Sequence, residues 1–324
     1  MRRLALIAAK ATVSATLLYF AVARLNFAAV EQRLARLDLG WLAAAFAVGL
    51  LQTALVAIRW RRIAQVCGAM MPPAQAIRFT FIAAFFNQVL PSTVGGDAVR
   101  IWLLARNGSG WTAAAYSVLL DRFIGVMMLA LAVAGGLFWS LRLIEHPIGR
   151  GMLLAVGLGS LAAGAAFLGL GHWRRLAAFK LTAHLLRLAV LAREVLFSAR
   201  VAPAVVALSL LVHGLTAAIA WMLARAVAAP FDFGLAVLLV LPVMLIATVP
   251  ISIAGWGVRE TALVVAFSYA GLADSDGLIV SVMLGLVMIA VGVVGGVVWL
   301  AGGERLRLRG AATTETDGPR GESG

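Results

Sequence analysis

The chain carries the stretch Pro91-Ser-Thr-Val-Gly-Gly-Asp-Ala-Val-Arg100 and, further on, a second version of it, Pro250-Ile-Ser-Ile-Ala-Gly-Trp-Gly-Val-Arg259. In register, the two copies share a proline, a hydroxyl residue, a glycine and a final Val-Arg pair. Each copy interrupts an apolar segment with helix breakers and then places an arginine in the next apolar run, where an unpaired charge costs about 2.5–3.5 kcal/mol. Broken helices at corresponding positions of two repeats indicate a transport site near the bilayer midplane.

The composition excludes a soluble domain. Hydrophobic residues make up 63% of the 324 positions and charged residues only 13%, and the mean hydropathy is +0.99. Several apolar runs reach the ~20 residues that span a bilayer as a helix. These runs are rich in Ala and Leu and lack the alternation of barrel strands. We predict an all-α, polytopic helical membrane protein of the inner (plasma) membrane, with one transmembrane domain over residues 1–303.

The net charge of +13 would suggest nucleic acid as a partner of a soluble protein. Here the arginines lie in loops between apolar spans, where membrane topology accounts for most of them. Cys67 is the only cysteine, which excludes an intramolecular disulfide, and the four histidines are scattered along the chain. We expect no nucleic-acid partner, no cofactor and no metal site.

The apolar runs predict six full spans and two re-entrant helical hairpins. The full spans are 4–23, 41–58, 113–141, 151–170, 203–224 and 278–300. The second span ends at Arg59-Trp-Arg-Arg62, a basic and aromatic boundary typical of the inner membrane interface. One hairpin joins 77–90 to 97–106 through a break at 91–96, and the other joins 234–249 to 258–271 through a break at 250–257. With both termini in the cytoplasm, every strongly basic loop falls on the cytoplasmic side. The hairpins then have opposite orientations, so we predict two inverted repeats, 40–141 and 203–300.

Two segments lie outside these repeats. Segment 173–200 is basic, and Lys180, His184 and Arg187 share one helical face with leucines beside it. This pattern fits an amphipathic helix on the anionic lipids of the inner leaflet, and it equally fits a solvated linker helix. Residues 304–324 are predicted to be a cytoplasmic tail, basic and then disordered.

The two breaks carry the candidate binding chemistry. A helix that begins inside the membrane presents free backbone N–H groups and a positive dipole end, and glycines let an anionic group approach them. An arginine one turn further on adds a bidentate fork that suits a phosphate. The candidates for this phosphate site are Gly95, Gly96, Arg100 and Arg122 at the first break, and Gly255, Gly257 and Arg259 at the second.

The acidic residues near the breaks allow another interpretation. Asp97 lies three residues before Arg100, Glu260 adjoins Arg259, and Asp121 adjoins Arg122 in the next span. The arginines could therefore simply neutralise buried carboxylates. The two interpretations are compatible, because a carboxylate can orient an arginine that also binds phosphate. Asp97 could instead cap its helix, and Asp121 and Glu260 are candidate proton carriers.

Four further residues could contact a headgroup. Asn87, Thr93 and Ser252 could hydrogen-bond it, or they could satisfy backbone groups freed at the breaks. Trp256 could stack on a headgroup or a sugar, and an interfacial aromatic belt explains it almost as well.

Several stretches together resemble the transmembrane domain of lysylphosphatidylglycerol synthase and the stand-alone flippase-like proteins related to it. They are Phe85-Phe-Asn-Gln-Val-Leu-Pro91, Gly95-Gly-Asp-Ala-Val-Arg100, Leu120-Asp-Arg122 and Pro250 through Gly255-Trp-Gly-Val-Arg-Glu260. The resemblance covers roughly residues 5–300 and implies movement of a modified or polyisoprenoid-linked lipid between leaflets. The lysyl-transferring members carry a soluble synthase domain after the membrane part. This chain ends soon after residue 300, so we expect no aminoacyl transfer, no catalytic residues and no enzyme activity.

The sequence therefore predicts a lipid translocase that binds a membrane lipid by its phosphate. Two alternatives remain open. One is an integral-membrane transferase that uses Asp97, Asp121 or Glu260 as base or metal ligand, although its loops would then be expected to carry paired acidic motifs. The other is a scaffold that does not transport and docks a lipid- or glycan-modifying enzyme through segment 173–200.

Overall fold

The computed structural model describes residues 37–90, 94–170, 180–249 and 255–302, and six isolated positions before residue 37. Its regular elements are helical. In chain order they are α1 (Leu39–Val66), α2 (Pro73–Val89), α3 (Gly95–Leu104), α4 (Trp111–Leu143), α5 (Pro147–Gly169), α6 (Lys180–Phe197), α7 (Ala202–Ala226), α8 (Phe233–Ala247), α9 (Val258–Tyr269) and α10 (Asp274–Ala301).

Five of these helices, α1, α4, α5, α7 and α10, are long and apolar enough to cross a membrane. They confirm five of the six predicted full spans and show a multi-pass helical membrane protein. The predicted first span, 4–23, the tail at 304–324 and the start of the basic segment at 173–179 lie outside the described residues.

Helix α1 differs from its predicted span at its C-terminal end. The prediction ended the span before Arg59-Trp-Arg-Arg62, which resembles an interfacial boundary, whereas α1 continues to Val66. Arg59 and Trp60 are buried, because Arg59 finds an acidic partner inside the bundle. At its other end α1 is capped by Asp38, whose Oδ1 accepts from the backbone nitrogens of Gly40 and Trp41 at 2.7 and 3.3 Å.

The shorter helices form two packed pairs, α2 with α3 and α8 with α9. Helix α3 has 10 residues and α9 has 12, so at ~1.5 Å per residue they are about 15 and 18 Å long. Neither can cross a hydrocarbon core of ~30 Å on its own. The breaks expected at the tips of the pairs contain residues 91–93 and 250–254, which are outside the described part of the chain.

Helix α8 contains a π-helical turn, Ala236–Val240, which is followed by Pro242. Proline has no N–H to donate to the carbonyl four residues earlier, that of Leu238. Ser140 of α4 supplies the missing donor, since its Oγ lies 3.3 Å from the Leu238 carbonyl oxygen. A polar side chain of one transmembrane helix thus satisfies the backbone of another, as an apolar surrounding requires.

Close packing of helices α2 and α10 depends on small residues. A Cβ added to Gly295 would overlap the carbonyl oxygen of Phe81, and one added to Gly296 would lie 2.9 Å from the Phe85 ring. Small residues let membrane helices approach until their backbones meet, where dispersion replaces a hydrophobic driving force. The α2–α10 contact therefore holds the first helix pair firmly against the last span.

Helix α6 buries Ala189, Ala192 and Val195 against the bundle, and its His184 shares a hydrogen bond with the Tyr116 hydroxyl of α4. Leu185, predicted to lie beside the basic face, is exposed. The small apolar stripe of α6 thus packs against the spanning helices, while Arg187 stays on the outer face.

Candidate functional site

Asp121 holds two buried arginines at the centre of the bundle. Its Oδ1 accepts from Arg59 Nε at 2.9 Å, and its Oδ2 accepts from Arg100 Nη2 at 3.0 Å. The three side chains are between 2 and 7% exposed. Because Arg59 is on α1, Arg100 on α3 and Asp121 on α4, one carboxylate joins three helices.

Asp97 pairs with a third arginine. Its Oδ2 accepts from Arg122 Nε at 2.6 Å, and its Oδ1 lies 3.7 Å from Arg100 Nη1. Its carboxylate therefore faces arginines, and α3 has no side-chain cap. The side chain of Arg122 is 51% exposed, so this guanidinium can still approach another anion.

Arg100 also lies against an aromatic ring. Its Cζ is 4.0 Å from the centroid of the Trp60 ring, close enough for a cation–π contact. Trp60 is held in place by a hydrogen bond from Nε1 to Ser117 Oγ at 3.2 Å. Arg100 Nε is buried without a hydrogen-bond partner, so its N–H is an unused donor.

These charged groups line a cavity of about 270 Å³, which we call the charged cavity. Its lining consists of Thr53, Val56, Arg59, Thr80, Ala83, Ala84, Asn87, Asp97, Arg100, Asp121 and Arg122. Three guanidinium groups face two carboxylates here, which leaves one positive charge in the charged cavity. Among the described residues, no three His, Cys, Asp or Glu side chains come together as a metal ion would require.

Asn87 and the glycines of the first break shape the tip of the α2–α3 pair. Asn87 Oδ1 accepts from the backbone nitrogen of Gly96 at 2.9 Å, so Asn87 satisfies a backbone group and also lines the charged cavity. A Cβ on Gly96 would overlap the carbonyl oxygen of Ala83, and one on Gly95 would lie 2.7 Å from Leu90 Cβ. Glycine is thus needed here for close packing, and the Gly96 N–H already has an acceptor.

The second break is built around Glu260. Gly255 and Gly257 have φ values of 81° and 87°, which side chains disfavour. The Gly257 N–H donates to Glu260 Oε2 at 2.6 Å. Glu260 Oε1 accepts from Arg259 Nη2 at 2.6 Å and from Ser281 Oγ at 3.2 Å. The fully buried Glu260 therefore both caps the N-terminus of α9 and neutralises Arg259.

Arg259 is surrounded by partners. Its Nε lies 3.1 Å from Ser281 Oγ, and its Nη1 lies 3.7 Å from Met288 Sδ. The Trp256 ring centroid is 5.2 Å from its Cζ, and Gly285 leaves the space in which ring and guanidinium meet. Trp256 thus stacks on an arginine of its own site, as Trp60 does on Arg100.

The two arginine centres are separate in this conformation. Arg259 and Trp256 do not line the charged cavity. Between the centres lies a second cavity of about 200 Å³, which includes Asn87 and Met288 in its lining. Thr93 and Ser252, the predicted hydroxyl pair, are outside the described residues.

Sequence reasoning missed Arg59, Trp60 and Ser281, which complete the two centres. Arg59 was interpreted as an interfacial charge because it begins a cluster of arginines. One signal could have identified it. Gln52 and Arg59 are seven residues apart, or two helical turns, and therefore share a face of an otherwise apolar helix.

Comparison with known proteins gives one family. Residues 7–296 match the model of the lysylphosphatidylglycerol synthase TM region, in agreement with the resemblance of the motifs. The curated proteins searched contain no significant match to the chain.

Proposed function

Because the chain belongs to the lysylphosphatidylglycerol synthase TM-region family, we propose that it is a lipid translocase. Membership supports a lipid-related role in a membrane. The substrate is an anionic or polyisoprenoid-linked lipid that moves between the leaflets of the inner membrane, with both termini of the protein in the cytoplasm. We assign it no reaction and no nucleotide hydrolysis.

The charged cavity is the observation that carries this proposal. The three guanidinium groups and two carboxylates of this cavity leave one positive charge, which attracts an anion. Arg122 is half-exposed with only Nε bound to Asp97, and Arg100 keeps an unused Nε. An anionic phosphate would balance this charge and accept hydrogen bonds from these N–H donors. Arginine suits this role because its guanidinium can donate two parallel hydrogen bonds to a phosphate. Arg100 and Arg122 are therefore the residues proposed to receive the headgroup.

The inverted repeat is the second part of the proposal. If α1–α4 and α7–α10 are related halves, each helix contact must recur between the corresponding helices, both within a half and between the halves. The contact of α1 with α4 corresponds to that of α7 with α10, and the contact of α3 with α4 corresponds to that of α9 with α10. Between the halves, the contact of α2 with α10 corresponds to that of α8 with α4. This matching supports a duplicated architecture with two re-entrant pairs, in which rocking of the halves exposes the site to each leaflet in turn.

Within that scheme Arg259 serves the other leaflet. It is the counterpart of Arg100 in the repeated motif, and it likewise combines a carboxylate with a tryptophan. Its present partners must loosen before it can take a phosphate. Met288 contacts Arg259 and lines the cavity on the way from Arg100, so movement of this flexible side chain is the smallest change that connects the centres.

Leaflet exchange in proteoliposomes tests the proposal. The purified protein is reconstituted with labelled anionic, zwitterionic and polyisoprenoid-phosphate lipids, and Arg100→Gln, Arg122→Gln and Arg259→Gln are compared with the natural chain. We expect exchange of one anionic class and a loss of at least tenfold in each variant, because each loses a charge-assisted contact. Arg142→Gln, an exposed arginine stacked on Phe138, is the matched control and should keep full exchange.

Exchange that persists in all three variants would refute headgroup binding by these arginines. If the folded natural protein exchanges none of the lipids, translocation is refuted and the scaffold interpretation gains support.

A further inference from the structure

A groove between α5, α8 and α9 is separate from the charged cavity and has a different chemistry. Its volume is about 320 Å³, and its described lining residues all differ from those of the charged cavity and of the second cavity. Thr261 and Tyr269 supply the hydroxyl groups of its wall, and the other described lining side chains are apolar. The proposed function does not use this space, which we call the apolar groove.

The apolar groove is about as tall as one leaflet of the hydrocarbon core. Its α9 wall begins at Val258 and ends at Tyr269. These are the first and last of the 12 residues of α9, which at ~1.5 Å per residue span about 18 Å, and one leaflet contributes about 15 Å of the core. Met152 of α5 lines the groove and is 57% exposed. The groove is therefore open to the surrounding lipid and has the length of a chain from one leaflet.

Hydrocarbon is the filling that such a wall selects. Water in a cavity needs two to four polar partners, and this wall offers two hydroxyl groups among apolar side chains. An empty groove would forfeit the dispersion contacts that close packing provides. For helices that cross a bilayer, the molecule available to fill the space is a lipid chain.

One end of the groove lies beside an arginine of the α4–α5 connection. There the Tyr269 ring stacks on His146 with centroids 4.7 Å apart, and tyrosine is typical of the membrane–water interface. Arg150 is exposed, and its Nε donates at 2.7 Å to the carbonyl of Ile144, a lining residue. Its Nη groups can still donate to a phosphate. Residues 142–150 contain two arginines and one glutamate, so the connection is net positive and complements a phosphate.

We propose that the apolar groove binds one phospholipid, with an acyl chain between α5 and the α8–α9 pair and the phosphate at Arg150. This lipid is a resident part of the fold and not the transported molecule, because the groove shares no described lining residue with the charged cavity. Helix α5 comes so close to the end of α9 that a Cβ on Gly149 would lie 2.7 Å from the Tyr269 ring. The chain fills the space beside this contact and joins α5 to the second helix pair.

Lipid binding to the delipidated protein in detergent tests the site without transport. Phosphatidylethanolamine is the probe, because its headgroup has no net charge and the charged cavity does not attract it. Native mass spectrometry measures the bound fraction over a titration. Val265→Phe places a ring in the groove and should weaken binding by about tenfold or more, because displaced methylenes lose their apolar burial. Val293→Phe, the same change at a 57% exposed position of α10, is the matched control and should retain the affinity.

The phosphate contact has its own pair of variants. Arg150→Gln should weaken binding about tenfold, because a hydrogen bond to a charged group is lost. Arg106→Gln, an exposed arginine stacked on Trp102, should leave the affinity unchanged. Full affinity in Arg150→Gln would overturn the assignment to a phospholipid and would favour a bare hydrocarbon chain such as that of the detergent.

Equal affinities of Val265→Phe and Val293→Phe overturn the groove as a lipid site. If Val265→Phe does not fold, Met152→Trp fills the groove from the side of α5, where the exposed side chain tolerates replacement. Retained affinity in Met152→Trp would then overturn the proposal. None of these measurements involves leaflet exchange, so their failure is distinct from a failure of the proposed function.

Discussion

Asp121 compensates two buried guanidinium groups, so its loss affects more than one ion pair. Burying an ion is costly, and the arrangement is stable only while the opposite charges stay together. Arg59 and Arg100 approach different oxygens of the same carboxylate, and Arg259 depends on Glu260 in a similar way. At the scale of single residues, the acidic groups make it possible to keep arginines inside the bundle.

Asp121→Asn should therefore destabilise the protein strongly. The amide leaves Arg59 and Arg100 without a counter-charge, and breaking such a buried pair costs about 3–5 kcal/mol. Thermal unfolding in detergent, followed by tryptophan fluorescence, measures the effect. Glu145→Gln removes an exposed carboxylate and should leave the melting temperature unchanged. Equal melting of the two variants would show that Asp121 does not compensate buried charge.

Helix packing depends on a few positions where a side chain has no room. The contact of α2 with α10 brings the Phe81 carbonyl against Gly295, and this contact positions the arm that carries Asn87. A methyl group at that position must push the two backbones apart, and a well-packed interior resists such insertion. At the scale of the elements, the glycines of α10 set the position of the first helix pair.

Gly295→Ala is predicted to separate α2 from α10, with a cost of about 1–3 kcal/mol from overpacking. Gly159→Ala, on α5, is the matched control because a Cβ there meets nothing within 4 Å. The control should be neutral or stabilising by up to ~1 kcal/mol, since alanine is the better helix former. Unfolding curves of both variants give the comparison, and a stable Gly295→Ala protein would contradict the packing.

In the proposed repeat, α1–α4 and α7–α10 form two halves, and the contacts of their described helices correspond. Helices of one set reach into the other, as α4 does towards α8, where a Cβ on Gly136 would lie 3.2 Å from Leu238 Cδ2. Other contacts stay within one set, such as the 2.8 Å hydrogen bond from Gln75 Nε2 to Asn107 Oδ1. Rocking of the halves would change the first kind of contact and keep the second.

Crosslinking can distinguish the contacts between the halves from the contacts within one half. In a Cys67→Ser background, Gly136→Cys with Leu238→Cys joins the halves, and Gln75→Cys with Asn107→Cys joins two points of the first half. A short thiol crosslinker should stop leaflet exchange in the former protein and leave it unchanged in the latter. The crosslinker is reducible, and recovery of leaflet exchange after reduction would show that crosslinking had not denatured the protein. Continued exchange with the halves joined would exclude rocking.

The sequence alone determined the membrane class, five of the spans and two of the three local charge pairs. The expected pair of Asp121 with Arg122 is wrong, because Asp121 binds Arg59 and Arg100 while Arg122 binds Asp97. A long apolar run that spans the bilayer by itself must form an α-helix, because every backbone N–H and C=O group must be hydrogen-bonded within the segment. The resemblance of the motifs to a known family was confirmed over residues 7–296. Asp97 with Arg100 and Glu260 with Arg259 were foreseeable as pairs, because each acid is within three residues of its arginine.

Only the tertiary structure brought Arg59 and Arg100 to Asp121 and placed Trp60 beside them. It also put a second cavity between the two arginine centres. The physical reason is that membrane helices are apolar on all sides, so hydrophobic periodicity does not show which face turns to a neighbouring helix. The inward face is decided instead by where small residues let helices approach and where buried charges find partners, and both depend on residues far apart in the chain.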